Sequence, residues 1–152
     1  MRRFILLAMV AAMALTVLAR PAMAETKTPF TAMESDEIVL DYGTSWFSHH
    51  GEFHVRGFVD QLVLTGDLEG TVVNVANADF LPGQSDVWGT MVITTSDTTY
   101  EGSFRGVDQT GGGSFSGTFV AHGSDGTELI QSSFTPVEGG VLLQGIILDP
   151  NG

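Results

Sequence analysis

Apolar and polar residues alternate along this chain in short runs, and nowhere do apolar residues recur at helical spacing for three turns. Period-two alternation puts every second side chain on one face, as a strand with one buried face requires. The runs are rich in Val, Thr and Phe and are punctuated by Gly, Asp, Asn and Ser. The spacing predicts strands over residues 37–42, 46–49, 52–58, 61–65, 70–77, 87–95, 98–105, 114–122, 128–135 and 141–148. Some of these merge, which leaves eight or nine strands joined mostly by short polar turns. An antiparallel meander of this size must close into a barrel or fold into a sandwich to hide its edges. The expected fold class is all-β, a single closed antiparallel β-barrel of about eight strands with meander topology.

One internal repeat sharpens that expectation. Gly102-Ser103-Phe104-Arg105-Gly106 and Gly113-Ser114-Phe115-Ser116-Gly117 flank a loop through Asp108, Gly111 and Gly112. Folding the chain about this loop sets Gly102 opposite Gly117, Phe104 opposite Phe115 and Tyr100 opposite Phe119, with all six on one hairpin face. Glycines alternating with aromatics let a sheet coil sharply while rings cover the bare backbone, as barrel corners require. A phosphate-cradling role for Gly111-Gly112-Gly113 lacks both a following Lys and a helix start.

The ends of the chain read differently from its body. Met1-Arg2-Arg3, an apolar run from Phe4 to Leu18 and then Ala22-Met23-Ala24 form a charged start, a hydrophobic stretch and a small-x-small cleavage signal. The apolar run is short for a membrane span of roughly 20 residues, and Arg20-Pro21 interrupts it. Residues 1–24 are therefore expected to be a signal peptide, 25–35 a flexible leader without periodicity, and 36–152 the β-barrel domain. The expected destination is export, to the periplasm or beyond.

Charge and cysteine content narrow the partners. Cleavage after Ala24 leaves Lys27, Arg56 and Arg105 against all 18 acidic residues, so the net charge falls from −12 to −15 (3 minus 18). Such a surface repels phosphate backbones and anionic headgroups, so neither a nucleic-acid partner nor membrane docking after cleavage is expected. The charge also serves the solubility of an exported protein. The chain has no cysteine, so stability must come from the core and the strand ladders rather than from disulfides.

Candidate chemistry is sparse. His50, Glu52, His54 and Arg56 share one strand face if Gly51 does not break the strand, which makes His50 and His54 candidate metal ligands needing a third from a neighbouring strand. Ordinary strand histidines are the simpler reading, and no metal or cofactor is expected. Glu101, Ser103 and Arg105 oppose the face bearing Tyr100 and Phe104, so one set must point into the barrel. Burying the aromatic set removes more apolar surface, whereas a polar lumen would hold Glu101 and Arg105 together with Glu52, His54 and Arg56. For an enzyme the candidate catalytic groups are Glu101, Arg105, His54 or Tyr100. Asp125-Gly126 and Asp149-Pro150-Asn151-Gly152 are oxygen-rich but lack the calcium-loop pattern and read as turns. No Gly-x-Ser-x-Gly elbow is present. Trp46 and Trp88, with Phe104, Phe115 and Phe119, are the candidate ligand-binding aromatics.

The stretches Val87-Trp88-Gly89-Thr90, Tyr100-Glu101-Gly102 and Ser116-Gly117-Thr118-Phe119-Val120-Ala121-His122-Gly123 resemble the repeating pattern of the allene oxide cyclase barrel-like group, over about the second half of the mature chain. That resemblance implies a calycin-like eight-stranded barrel with an apolar or mixed cavity and self-association into homodimers or homotrimers. It does not imply one chemistry. The expected function is a non-catalytic binding module for a small apolar ligand or a partner. The alternative is a cyclase- or isomerase-type enzyme acting on an apolar substrate in the barrel cavity.

Overall fold

A computed structural model describes residues 24–110 and 114–152. The expected signal peptide over 1–24 lies outside the described residues except for Ala24, and Gly111-Gly112-Gly113 lies outside them entirely. Nine strands follow in chain order: β1 (Thr26–Asp41), β2 (Thr44–Phe47), β3 (Phe53–Gly66), β4 (Gly70–Leu81), β5 (Gln84–Thr95), β6 (Thr99–Asp108), β7 (Ser116–Gly123), β8 (Glu128–Val137) and β9 (Gly140–Asp149). All pairings are antiparallel, and among the described residues there is no helix. β1 pairs with β9 on one side and with β3 on the other, which closes eight strands into a meander barrel. β2 is the extra strand. It continues β1 along the edge of β3, so that Asp41 faces Val59 and Thr44 faces Arg56.

The leader expected over 25–35 is instead strand from Thr26 onward, paired with β9 residue by residue from Thr26–Asp149 to Glu34–Val141. Phe30, Ala32 and Glu34 are the buried positions, an alternation of only three members that Pro29 disguises. Pro29 is tolerated because this part of β1 has β9 on one side only, pairing with β3 beginning at Ala32. Likewise the runs at 52–58 and 61–65 are one strand, β3, continuous through Val59 and Asp60.

Bulges reset the inward phase. Register shifts fall between Ser35 and Ile38 on β1, between Val55 and Phe58 on β3 and between Ile130 and Ser133 on β8. Asp36 (φ 54°), Gly57 (φ 69°) and Gln131 (φ 51°) stand at these shifts in left-handed backbone. An extra residue in one strand flips the alternation. That is why Glu34 and Glu37 both reach the lumen, as do Val55 and Phe58.

The two ends of the barrel differ. At the end bearing the β3–β4, β5–β6 and β7–β8 turns, Phe30, Leu64, Leu68, Val72, Ile93, Tyr100, Phe119 and Leu129 pack as a filled core. Leu68, from the β3–β4 turn, plugs this end. The turn is tied to β1 by Thr31 N donating to the Asp67 carboxylate (2.8 Å) and Asp67 N donating to Thr31 O (2.9 Å). At the opposite end the β2–β3, β4–β5, β6–β7 and β8–β9 turns surround a mouth.

The β6–β7 hairpin has the expected inward face but a different register. Gly102 faces Ala121, Phe104 faces Phe119, Gly106 faces Gly117 and Tyr100 faces Gly123. β6 does not stop at Arg105 but runs to Asp108, pairing with Ser85, and this moves the centre of the hairpin outward. Asp108 ends the strand by accepting from Thr110 N (2.7 Å) and Ser114 N (3.2 Å). The displacement is an even number of residues, so every side chain keeps its face. Glycine is required beneath the rings: a Cβ on Gly106 or Gly117 would strike the Phe134 ring, at 2.6 and 2.7 Å.

Candidate lumenal site

The unfilled half of the lumen is a cavity of about 510 Å³ opening at the mouth. Its walls are aromatic: Phe53, Phe58, Phe80, Phe104, Phe115 and Phe134 line it. Phe53, Phe80 and Phe115 touch in series, with centroids 5.7 and 5.8 Å apart, and Phe104 meets Phe134 edge-on at 6.1 Å. Leu62, Met91 and Leu143 form the floor where cavity and core meet.

Into this apolar chamber project the Glu34 and Asp60 carboxyl groups and the Asn74 amide, and Glu37 and Asn77 also line it. Glu34 comes from β1, between Leu64 of β3 and Val141 of β9. Asp60 comes from β3 and faces Asn74 of β4. Glu34 is only 6% exposed, and burial together with the neighbouring Asp60 carboxylate pushes its carboxyl up to about 7. Burial also raises Asp60; Asn74 opposes that by hydrogen bonding, and the Glu37 charge at the rim adds to it. Oδ1 of Asp60 and Oδ1 of Asn74 are buried with no hydrogen-bond partner among the described residues. Unpartnered buried acceptors cost on the order of 1–3 kcal/mol each. No Lys, Arg or His side chain lines the cavity among the described residues.

Of the ligand-binding aromatics expected from the sequence, Phe104 and Phe115 line this cavity, while Phe119 lies in the filled core at 2% exposure. Trp46 and Trp88 are on the outer wall. Tyr100 is in the filled core, its hydroxyl accepting from Thr127 Oγ1 at 3.2 Å. Glu101 and Arg105 face solvent, opposite to the inward Tyr100, Gly102 and Phe104, so they do not meet in a polar lumen. Desolvating a carboxylate and a guanidinium costs more than burying two rings, which fixes that choice of face.

His54 is also outside. Gly51 (φ 82°) does break the run, so His50 sits in the exposed turn before β3 and does not share a strand face with His54. His54 Nδ1 lies 2.6 Å from Asp79 Oδ1 and its ring stacks on Trp46 at 5.2 Å. Arg56 reaches the same Asp79 oxygen at 2.7 Å and lies over both Trp46 (5.3 Å) and Trp88 (4.8 Å). Burial alone would raise the Asp79 carboxyl, but the His54 and Arg56 bonds and charges outweigh it and hold it below the usual range. The cluster fastens β2, β3, β4 and β5 together on the outer wall. Among the described residues no three His, Asp or Glu side chains converge to hold a metal ion. The oxygen-rich turns cap themselves: Asp125 accepts from Thr127 N (3.0 Å) and Asp149 from Asn151 N (2.8 Å).

Sequence reasoning missed Glu34, Asp60 and Asn74. The signal was phase: Asp60 stands in step with Phe58, Leu62 and Leu64, and Asn74 with Val72, Ala76 and Ala78. Fold and site together define a closed eight-stranded meander barrel with a half-hollow lumen whose apolar wall carries acidic groups. Compared with protein-family models, curated proteins and solved structures, the chain matches none of them.

Proposed function

We propose that this exported barrel is a binding module that takes one small, largely apolar ligand into its lumen. The observation that carries this reading is the 510 Å³ phenylalanine-lined cavity, of a size and composition that suit a drug-sized molecule, with a few polar groups at its inner end to orient it. A wholly structural barrel would gain by filling this space, since interiors are close-packed by default. The test is displacement of a neutral fluorescent apolar probe, such as N-phenyl-1-naphthylamine, from the mature protein. Ala76→Trp places an indole in the cavity from β4 and is expected to abolish probe binding while the far-ultraviolet spectrum stays β-type. Equal binding by wild type and Ala76→Trp overturns the reading.

Glu34 favours a second reading, the barrel enzyme. A shielded carboxyl near 7 can give and take a proton at neutral pH, which an isomerase or cyclase acting on an apolar substrate requires. On that reading Glu34→Gln binds substrate unchanged but loses turnover by a factor of about 10² or more.

A further inference from the structure

The polar groups in the cavity restrict the ligand's chemistry. Every one of them at the inner end offers oxygen acceptors: the Glu34 carboxyl, Asp60 Oδ1 and Asn74 Oδ1, the last two buried without a donor. The lysine and the two arginines among the described residues are engaged elsewhere or face outward. Lys27 pairs with Glu25 at 2.9 Å in solvent, Arg56 is held by Asp79 on the outer wall, and Arg105 is exposed on the outer face of β6. A ligand carboxylate, phosphate or sulfate would therefore meet the Glu34, Asp60 and Glu37 carboxyl groups and, among the described residues, no counter-charge in a site of low dielectric, where like charges cost most. A ligand with an N–H donor and a positive charge meets complementary charge, two waiting acceptors and aromatic rings whose faces attract cations. A metal ion is a poorer fit, because among the described residues no three His, Asp or Glu side chains are grouped to hold one.

We propose that the lumen is selective for organic amines, molecules with an apolar body that packs on the phenylalanines and a protonated nitrogen that docks between Glu34, Asp60 and Asn74. This deepens the binding-module reading and rests on it. The apolar body enters last and stays near the mouth, between Phe53, Phe80 and Phe115. The ammonium reaches the floor, where the acceptors lack donors.

The experiment is competition against the bound neutral probe by three ligands of one chain length: dodecylamine, dodecan-1-ol and dodecanoate. Dodecylamine is expected to compete roughly tenfold or more better than the alcohol, and dodecanoate worst. In Glu34→Gln/Asp60→Asn the amine's advantage over the alcohol should vanish while the alcohol competes as before. Both substitutions remove buried charge, so the fold is expected to hold. Glu101→Gln, on the outer wall, removes one carboxylate from the acidic surface and should leave the ratio unchanged. If the alcohol or dodecanoate competes best, or if Glu101→Gln lowers the ratio as much as the lumenal pair does, amine selectivity is overturned while lumenal binding stands. If the probe itself fails to bind or ignores Ala76→Trp, the underlying reading falls, and the amine proposal with it.

Discussion

Glu34 has exchanged water for hydrocarbon and a second carboxyl group, and its ionisation is thereby coupled to folding. Its carboxyl lies at about 7 in the barrel against an ordinary 4.5, so the fold favours the neutral form. The stability this contributes is full below about pH 4.5 and is lost as pH rises through 7, with about 3 kcal/mol at stake. Asp60 acts in the same direction; Asp79, held below its ordinary value, acts oppositely and only at lower pH. Urea unfolding at pH 5 and pH 8 should therefore show a stability loss with rising pH that Glu34→Gln largely removes. A wild-type barrel equally stable at both values would show that Glu34 is solvated or paired. The residue was hidden in the sequence for a physical reason. Its strand had to be recognised across Pro29, and a bulge at Asp36 ends the alternation just beyond it. Glu101 and Arg105, by contrast, were conspicuous as an alternating polar set, but such a set marks an outer wall as readily as a lumen.

Individual strands carry two jobs along their length, packing at one end and lining at the other. β3 places Leu64 in the filled core at 1% exposure, and β4 carries Phe80 to the cavity rim. Leu64→Ala is expected to cost about 2–5 kcal/mol because it opens a void in close-packed surroundings. Phe80→Ala should cost less, on the order of 1 kcal/mol, because the space it leaves joins a cavity already open to the mouth. Denaturation midpoints of the two variants decide this, and equal losses would mean the mouth is packed as tightly as the core. The β2–β3 hairpin depends on Asp79, which holds both His54 and Arg56. In Asp79→Ala, amide hydrogen exchange should accelerate in β2 and the first residues of β3 while β8 and β9 keep their protection. At this scale the sequence was informative: most strands, the antiparallel order and the ring-over-glycine face followed from alternation and turn residues, while the first half of β1 did not. The hairpin register did not, because Asp108 ends β6 through side-chain bonds that no periodicity encodes.

For the molecule as a whole, closure is the central event, and it joins the first strand to the last. β1 and β9 pair over nine consecutive positions from Thr26–Asp149 to Glu34–Val141. Deleting residues 140–152 is expected to abolish cooperative unfolding altogether rather than to lower its midpoint, since it reopens an edge on β8 and another on β1. A truncated chain that still unfolds in one sharp transition would show that the remaining strands close without β9. Beyond Glu34, β1 has no strand partner on its β9 side among the described residues, and Ile38, Leu40 and Tyr42 stand exposed there beside Asp36 and Asp41. A bulge and acidic side chains are devices that discourage such an edge from recruiting a foreign strand. The pairing of first with last also sets a schedule. Translation makes β1 eight strands ahead of β9, so every intermediate that lacks β9 is an unzipped sheet with its phenylalanines uncovered. Over the span between those two moments the open edges and bare rings leave the chain prone to aggregate, however stable the finished barrel.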